Sequence, residues 1–186
     1  MKSKSLLLSL LLGLAVLAMA PLAPVLAESA AEPPAEELSW DALVPEDFNP
    51  EGLFEKYDLD QMEDNDPRAE EFMRELKAVW KIAPVVEELA GKRVKMPGFV
   101  VPLETQGDEV SSFFLVPYFG ACIHVPPPPA NQMVHVRLPQ GAGLAADNLY
   151  EAVWVIGRLS IERTSNELGA AGYSMDDAQV EPYEED

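Results

Sequence analysis

The only cysteine and both histidines of this sequence lie close together, on the two sides of an unbroken run of four prolines. Cys122 and His124 precede the prolines at 126–129, and His135 follows them. Thiolate and imidazole are side chains that zinc accepts equally well. In an extended segment, residues two positions apart project to the same side at about 7 Å from each other. The spacing therefore favours a zinc site formed by Cys122, His124 and His135.

Two alternatives to a zinc site remain open for this loop: another metal, or no metal at all. The soft thioethers of Met96 and Met133 suit copper(I), but this is the less favoured metal because methionine is more often a core residue. A single Cys-x-His pair is also a weak zinc signature compared with two such pairs. The prolines favour a stiff polyproline segment, which suits a structural loop or the docking of a protein partner without any metal.

An enzymatic role for the same residues has less support in the sequence. It would need Cys122 as a nucleophile and His124 or His135 as its base. The sequence offers no glycine-rich oxyanion loop and no recognisable acid to orient the base. The motifs of serine hydrolases, phosphate-binding loops and dinucleotide sites are absent as well. We therefore expect a protein without catalytic residues.

Residues 1–27 have the organisation of a secretory signal peptide. Lys2 and Lys4 precede an apolar run at 6–18, and small residues occupy the cleavage region at 25–27. We predict that this segment is removed and that the mature chain is periplasmic. The rest of the sequence contains no second apolar run long enough to span a membrane.

The charge of the chain restricts its partners. The sequence has 32 acidic residues and 13 Lys and Arg, which gives a formal net charge of −19. A strongly negative surface repels phosphate backbones and anionic lipids, so nucleic acid is not an expected partner. The single cysteine of an exported chain cannot form an internal disulfide.

Hydrophobic periodicity divides the remainder into a disordered acidic leader, an N-terminal extension, a β-barrel domain and an acidic tail. The extension should contain one amphipathic helix at 67–83, because Asp66 is a good N-cap and Pro67 suits the first helical position. In chain order the four predicted parts are 28–37, 38–84, 85–183 and 184–186.

Five strand-like segments are predicted in the domain. The first contains Pro97 and Gly98, where a bulge or sharp bend is expected, and Gly157 in the fourth suggests a tightly curved position. Five strands with a long, bent first member predict a mainly β fold. We expect a small five-stranded OB-like β-barrel, with a small β-sandwich as the second choice. The predicted strands are 92–103, 110–118, 133–138, 152–161 and 173–183.

Three stretches of the sequence carry a resemblance to a known family. They are residues 91–104, residues 113–136 with the core GACIHVPPPPANQ at 120–132, and residues 153–173. Together they resemble the exported bacterial family catalogued as domain of unknown function 3299, over roughly residues 40–183. The resemblance implies a small OB-like barrel and no proven activity. It also implies an association with components of ATP-binding-cassette (ABC) transporters, some of them linked to zinc supply.

The loop and the resemblance together lead to one expected function and one alternative. We expect a periplasmic, non-enzymatic accessory protein that binds zinc at the proline-rich loop in support of an ABC-type transport system. The alternative is a metal-free OB-like adaptor that docks a protein partner through the same loop. Four aromatic residues border the loop as possible anchors, and strand alternation should bury about half of them. These are Phe113, Phe114, Tyr118 and Phe119.

Overall fold

A computed structural model of the chain describes residues 32–57, 66–121, 127–146, 149 and 151–184, and of Glu51 the backbone alone. The predicted signal peptide at 1–27 and the first part of the predicted leader, 28–31, lie outside these residues. Among the described residues, no helix is long and apolar enough to cross a membrane.

The described residues form a mainly β fold with few short helices. The helices are α1 (Glu51–Tyr57) and α2 (Pro67–Lys81), in addition to single 3-10 turns. The strands are β1 (Glu36–Glu37), β2 (Arg93–Gln106), β3 (Glu109–Val116), β4 (Val134–Arg137), β5 (Leu144–Ala145), β6 (Val153–Ser160), β7 (Thr164–Ser165), β8 (Ala170–Ala171) and β9 (Tyr173–Pro182).

Five of these strands close into a barrel. Around the ring the order is β2, β6, β9, β4, β3 and back to β2. The pair β4–β9 is parallel, and the other four pairs of the ring are antiparallel. This is the connectivity of an OB-type Greek-key barrel, so the predicted five-stranded OB-like fold is confirmed.

Strand β2 is long because it pairs with two neighbours in succession. Gly98 is its last residue paired with β6, and Phe99 is its first residue paired with β3. A Cβ atom on Gly98 would lie 2.8 Å from the carbonyl oxygen of Val116, so the close approach of the strands here requires glycine. The change of partner therefore falls where the sequence predicted an irregularity. The register shifts themselves lie later, between Pro102 and Thr105.

The curvature expected at Gly157 is a β-bulge. Asp177 and Ala178 of β9 both face the single position of Gly157 in β6. Asp177 adopts a positive φ of 50°. A Cβ atom on Gly157 would lie 3.2 Å from the Met175 sulfur, which is closer than most side-chain contacts allow. The missing side chain thus lets the bulged strand close over the barrel.

Two features of the N-terminal extension differ from the prediction. Helix α2 ends at Lys81 rather than at residue 83, and its N-cap is Asp66 as expected. Helix α1 was not predicted, because seven residues are too few to display a helical period. It packs on α2 through Tyr57, whose ring centroid lies 5.4 Å from that of Phe72.

The predicted disordered leader contains a short ordered strand at its end. Glu36 and Glu37 form β1, which pairs in parallel with β2. The main-chain N–H of Leu38 then donates to the carbonyl of Lys95 at 3.0 Å. Backbone pairing needs no apolar side chain, so the composition of the leader did not reveal it.

A hairpin that the sequence did not predict lies between β6 and β9. Thr164 and Ser165 of β7 pair with Ala171 and Ala170 of β8. The turn is closed by Asn166, whose side-chain oxygen accepts the N–H groups of the two residues at 168 and 169 at 2.8 and 3.2 Å. We call residues 164–171 the β7–β8 hairpin.

The hairpin covers part of the outer face of the barrel. Neighbouring residues of a strand point to opposite faces, and Phe113 belongs to the cluster that fills the interior. Phe114 instead belongs to a second cluster, which includes Val101 and Val116 on the strands and Ala171 of the hairpin. The outer surface of β2 and β3 is therefore packed by the chain's own hairpin.

Candidate functional site

The three predicted metal ligands are only partly described. His135 lies on β4, whereas Cys122 and His124 lie outside the described residues. Within the described part, no group of three or more His, Cys, Asp and Glu side chains is placed to hold a metal ion. The zinc site at Cys122, His124 and His135 therefore stays a prediction.

His135 is nearly buried, and both of its ring nitrogens have partners. Its Nε2 atom lies 2.9 Å from the Ser112 hydroxyl, and its Nδ1 atom lies 3.2 Å from the Thr164 hydroxyl and from Nη1 of Arg137. Arginine can only donate, so Nδ1 accepts and Nε2 carries the proton that it donates to Ser112. A metal ion could bind this ring only by replacing one of these contacts.

Arg137 extends this network to the acidic residues around it. Its guanidinium donates to both carboxylate oxygens of Asp176 and, at 2.6 Å, to Glu162. Ser174 donates to the same Glu162 oxygen at 3.1 Å. Hydrogen bonds from Arg137 lower the pKa of both carboxyl groups. The network joins β4, β9 and the segment that enters the β7–β8 hairpin, so it fixes the hairpin against the barrel.

Ser112 and His135 have the separation of a nucleophile and its base, but the rest of their geometry does not suit catalysis. Ser112 has only 4% of its surface exposed, which leaves no approach for a substrate. The Nδ1 atom of His135 faces Arg137 and Thr164, where a catalytic base would have an orienting carboxylate. The pair therefore serves the packing of the hairpin.

We predict that His135 makes the stability of the protein dependent on pH. Burial, and next the charge of Arg137, lower the pKa of His135, while Glu162, Asp176 and Glu104 oppose the shift. The unfolded chain binds this proton at a higher pH than the folded chain. The free energy of unfolding therefore falls as the pH drops below about 6.5.

Denaturant unfolding in metal-free buffer between about pH 5 and 8 measures this effect. Wild type should lose stability towards pH 5 more steeply than His135→Gln, which has no titrating ring. The carboxyl groups of Glu162 and Asp176 have lowered pKa values, so their protonation changes the free energy of unfolding only below about pH 4.5. It therefore does not affect this comparison. Equal slopes for the two proteins would contradict the prediction.

A cleft lies beside the end of the proline-rich loop. It has a volume of about 130 Å³ and lies between the last turns of α2, the loop residues Pro127 and Pro128, and the β7–β8 hairpin. Helix α2 contributes Lys77, Trp80 and Lys81 to its wall. The cleft thus combines an apolar lining with two cationic side chains.

A second hollow, of about 390 Å³, adjoins the first, because Lys81, Ser165 and Ala170 line both. It adds Ile82, which is 73% exposed, and Arg163. We call the two hollows together the α2–hairpin cleft.

Half of the four aromatic residues at the start of the loop are buried, as predicted, but strand alternation is not the cause, because Phe113 lies inside the barrel and Phe114 lies under the hairpin. Phe113 and Phe114 are fully buried, whereas Tyr118 is 42% and Phe119 is 55% exposed. The Phe119 ring packs edge-on against Phe99 at a centroid distance of 5.8 Å. The contact with Phe99 therefore fixes the orientation of the Phe119 ring, and the other side of the ring faces solvent.

Sequence reasoning missed most of these side chains. Arg137, Glu162 and Asp176 are far apart in the sequence, and only the closed barrel brings them together. One feature of the sequence indicated the cleft. Lys77 and Lys81 are four residues apart, so they lie on one face of a helix. Nothing in the sequence indicated that the hairpin forms the opposite wall.

The chain is similar to known proteins over most of its length. Residues 40–182 match the model of a family described as "Protein of unknown function (DUF3299)". A crystal structure of a protein of that family, from Pseudomonas aeruginosa PAO1, has 37% sequence identity to this chain and a TM-score of 0.63. The similarity covers 83% of this chain and 99% of that one. No protein of curated function matches the chain.

Proposed function

This chain belongs to the DUF3299 family of proteins of unknown function, and we propose that it is a non-enzymatic accessory protein of the periplasm. In this proposal it binds another protein through the surface at the two ends of its proline-rich loop. The predicted signal peptide supports the location. Components of an ABC-type transporter are the partners that the family resemblance implied.

The exposure of Tyr118 and Phe119 is the observation that carries this proposal. Large aromatic side chains contribute much of the binding energy in protein interfaces, because they bury a large area at a low cost in conformational entropy. Both residues are partly exposed at one end of the loop, and Pro127 and Pro128 line a cleft at the other. Apolar surface is thus available on both sides of the prolines.

Photo-crosslinking in intact cells tests this proposal. A photoreactive residue in place of Phe119 should give a discrete adduct with one protein. The same residue in place of Lys92, which is exposed and lies outside both loop ends, is the matched control. We expect excess unlabelled wild-type protein to compete the adduct away, and Phe119→Asp not to. The same adducts from both positions, or none from position 119, would contradict the proposal.

Zinc binding at the loop is the second candidate. The spacing of Cys122 and His124 supports it, and the buried Asn131 lies at the base of the same loop. The Asn131 side chain is fully buried, and neither its oxygen nor its nitrogen bonds to any described residue. A buried amide without a partner among these residues needs a further one, such as a bound group or water. His135 would join such a site only by giving up one of its hydrogen bonds.

Metal analysis of the purified protein tests this second candidate. Wild type should retain zinc in a one-to-one ratio and lose it in Cys122→Ser and in His124→Ala. The His135→Gln variant shows whether the third predicted ligand takes part. An affinity no tighter than about micromolar at neutral pH would end the zinc proposal.

A further inference from the structure

The α2–hairpin cleft concentrates positive charge in a chain that is otherwise strongly acidic. Lys77, Lys81 and Arg163 line it, against the single acid Glu167, in a protein with a net charge of −19. Neither lysine forms an ion pair within the part of the chain that the structure describes. Their charges are therefore available to a ligand of opposite sign.

Helix stability alone does not explain why α2 carries both Lys77 and Lys81. Lys81 lies in the last turn of α2, where a cation interacts favourably with the helix dipole. Lys77 lies one turn earlier, and two like charges four residues apart destabilise a helix. An anion between them would turn this repulsion into a favourable interaction.

The cleft also offers apolar surface between its cations. Trp80 lines the first hollow together with Pro127 and Pro128, and Ile82 extends from the second. At 73% exposure, Ile82 is more exposed than Tyr118 or Phe119. A ligand that places an apolar side chain here would remove this surface from water.

Both walls of the cleft are fixed before any ligand arrives. Arg163 donates from Nη2 to the Ala83 carbonyl at 2.8 Å, which ties the start of the hairpin to the end of α2. The Thr164 hydroxyl is hydrogen-bonded to Nδ1 of His135, and the Asn166 side chain closes the turn at the tip of the hairpin. Little conformational entropy is lost on binding when the site is ordered in advance.

We propose that the α2–hairpin cleft binds an acidic peptide segment of a partner protein that carries one apolar side chain among its carboxylates. This proposal rests on the proposed function and names the chemistry of the partner. Two hollows of about 130 and 390 Å³ accommodate a few side chains. A long polyanion such as nucleic acid fits less well, because it would extend onto the surrounding acidic surface.

Fluorescence anisotropy with the labelled peptide DEDFEDE tests the proposal. We expect the peptide to bind, and to bind more weakly as the salt concentration rises. Lys77→Glu and Lys81→Glu should each weaken binding by about five- to tenfold, because an attraction becomes a repulsion. Lys92→Glu makes the same change of charge at an exposed position away from the cleft, and it should leave the affinity unchanged.

Two further comparisons test the apolar part of the site. The peptide DEDSEDE, which lacks the aromatic side chain, should bind several-fold more weakly, and so should DEDFEDE to the Ile82→Ser variant. Ile82 is exposed, so this variant should fold normally. No binding of DEDFEDE, equal binding of KKKFKKK, or an equal loss of affinity in Lys92→Glu would overturn the proposal.

The peptide-binding result and the crosslinking result can be told apart. If position 119 still forms its discrete adduct while the acidic peptide does not bind, the cleft proposal fails and the proposed function stands. If the peptide binds at the cleft while position 119 gives no adduct, the proposed function fails and the cleft stands as a binding site for acidic peptides.

Discussion

Replacement of Phe114 by alanine is expected to lower the free energy of unfolding by about 3 to 5 kcal/mol. The ring is fully buried on the outer face of the barrel and lies 5.8 Å from the His135 ring, centroid to centroid. Its removal leaves a cavity beneath the β7–β8 hairpin, which includes Ala171 of the same cluster. Denaturant unfolding followed by circular dichroism measures the loss.

Two control variants show whether the hairpin depends on this ring. Phe114→Leu keeps most of the apolar volume and should cost less than the alanine variant. Phe113→Ala removes an equal ring from the barrel interior. Hydrogen exchange of the hairpin amides should accelerate selectively in Phe114→Ala. A loss of stability below about 1 kcal/mol, or equal hairpin exchange in both alanine variants, would contradict the packing described.

Tyr173→Phe is expected to cost about 1 to 3 kcal/mol, although it removes a single oxygen atom. The Tyr173 hydroxyl donates to the Leu43 carbonyl at 2.8 Å and accepts the Val86 N–H at 2.7 Å. Burial raises the pKa of Tyr173, so the hydroxyl stays protonated at neutral pH. Without it, two main-chain groups of the N-terminal segment lose their partner inside the protein.

Thermal and denaturant unfolding of Tyr173→Phe can be compared with Tyr183→Phe. Tyr183 is 39% exposed and packs its ring on Trp154, a contact that phenylalanine retains. This control should change stability by less than about 0.5 kcal/mol. Equal effects of the two substitutions would show that the buried hydroxyl does not hold the N-terminal segment on the barrel.

The barrel was predictable because strands such as β2 and β4 carry apolar residues at every second position. In β4, Val134 and Val136 face the interior while His135 and Arg137 face outward, as the sequence pattern indicated. The fifth strand was placed correctly, and β9 starts at Tyr173 as predicted. Short elements were not predictable, because α1 and the β7–β8 hairpin owe their stability to tertiary contacts rather than to a repeating pattern.

The candidate site was only partly accessible from the sequence. Cys122, His124 and His135 were selected by residue type, and type alone does not reveal what surrounds a side chain. The partners of His135 are Ser112, Thr164 and Arg137, and two of these are more than 20 residues away from it. The four-residue spacing of Lys77 and Lys81 on α2 was visible in the sequence. The β7–β8 hairpin that forms the opposite wall of the cleft was not.

The packing of the hairpin has a consequence for binding. In OB-type barrels the outer strand surface and the adjoining loops commonly form the binding face. Here part of that surface is covered by the β7–β8 hairpin, through the Phe114 cluster and the His135 network. The hairpin in turn supplies a wall of the α2–hairpin cleft. The binding site that we propose is accordingly the cleft beside the proline-rich loop and not the strand face.

Heteronuclear NMR of the isotope-labelled protein, titrated with the peptide DEDFEDE, tests this central claim most directly. Chemical-shift changes should concentrate in the last turns of α2, around Trp80 and Ile82, and in the hairpin at 164–171. They should disappear in the Lys77→Glu, Lys81→Glu double variant. Shift changes that centre instead on the β2–β3 turn at Gly107, or that are absent from the hairpin, would contradict the account.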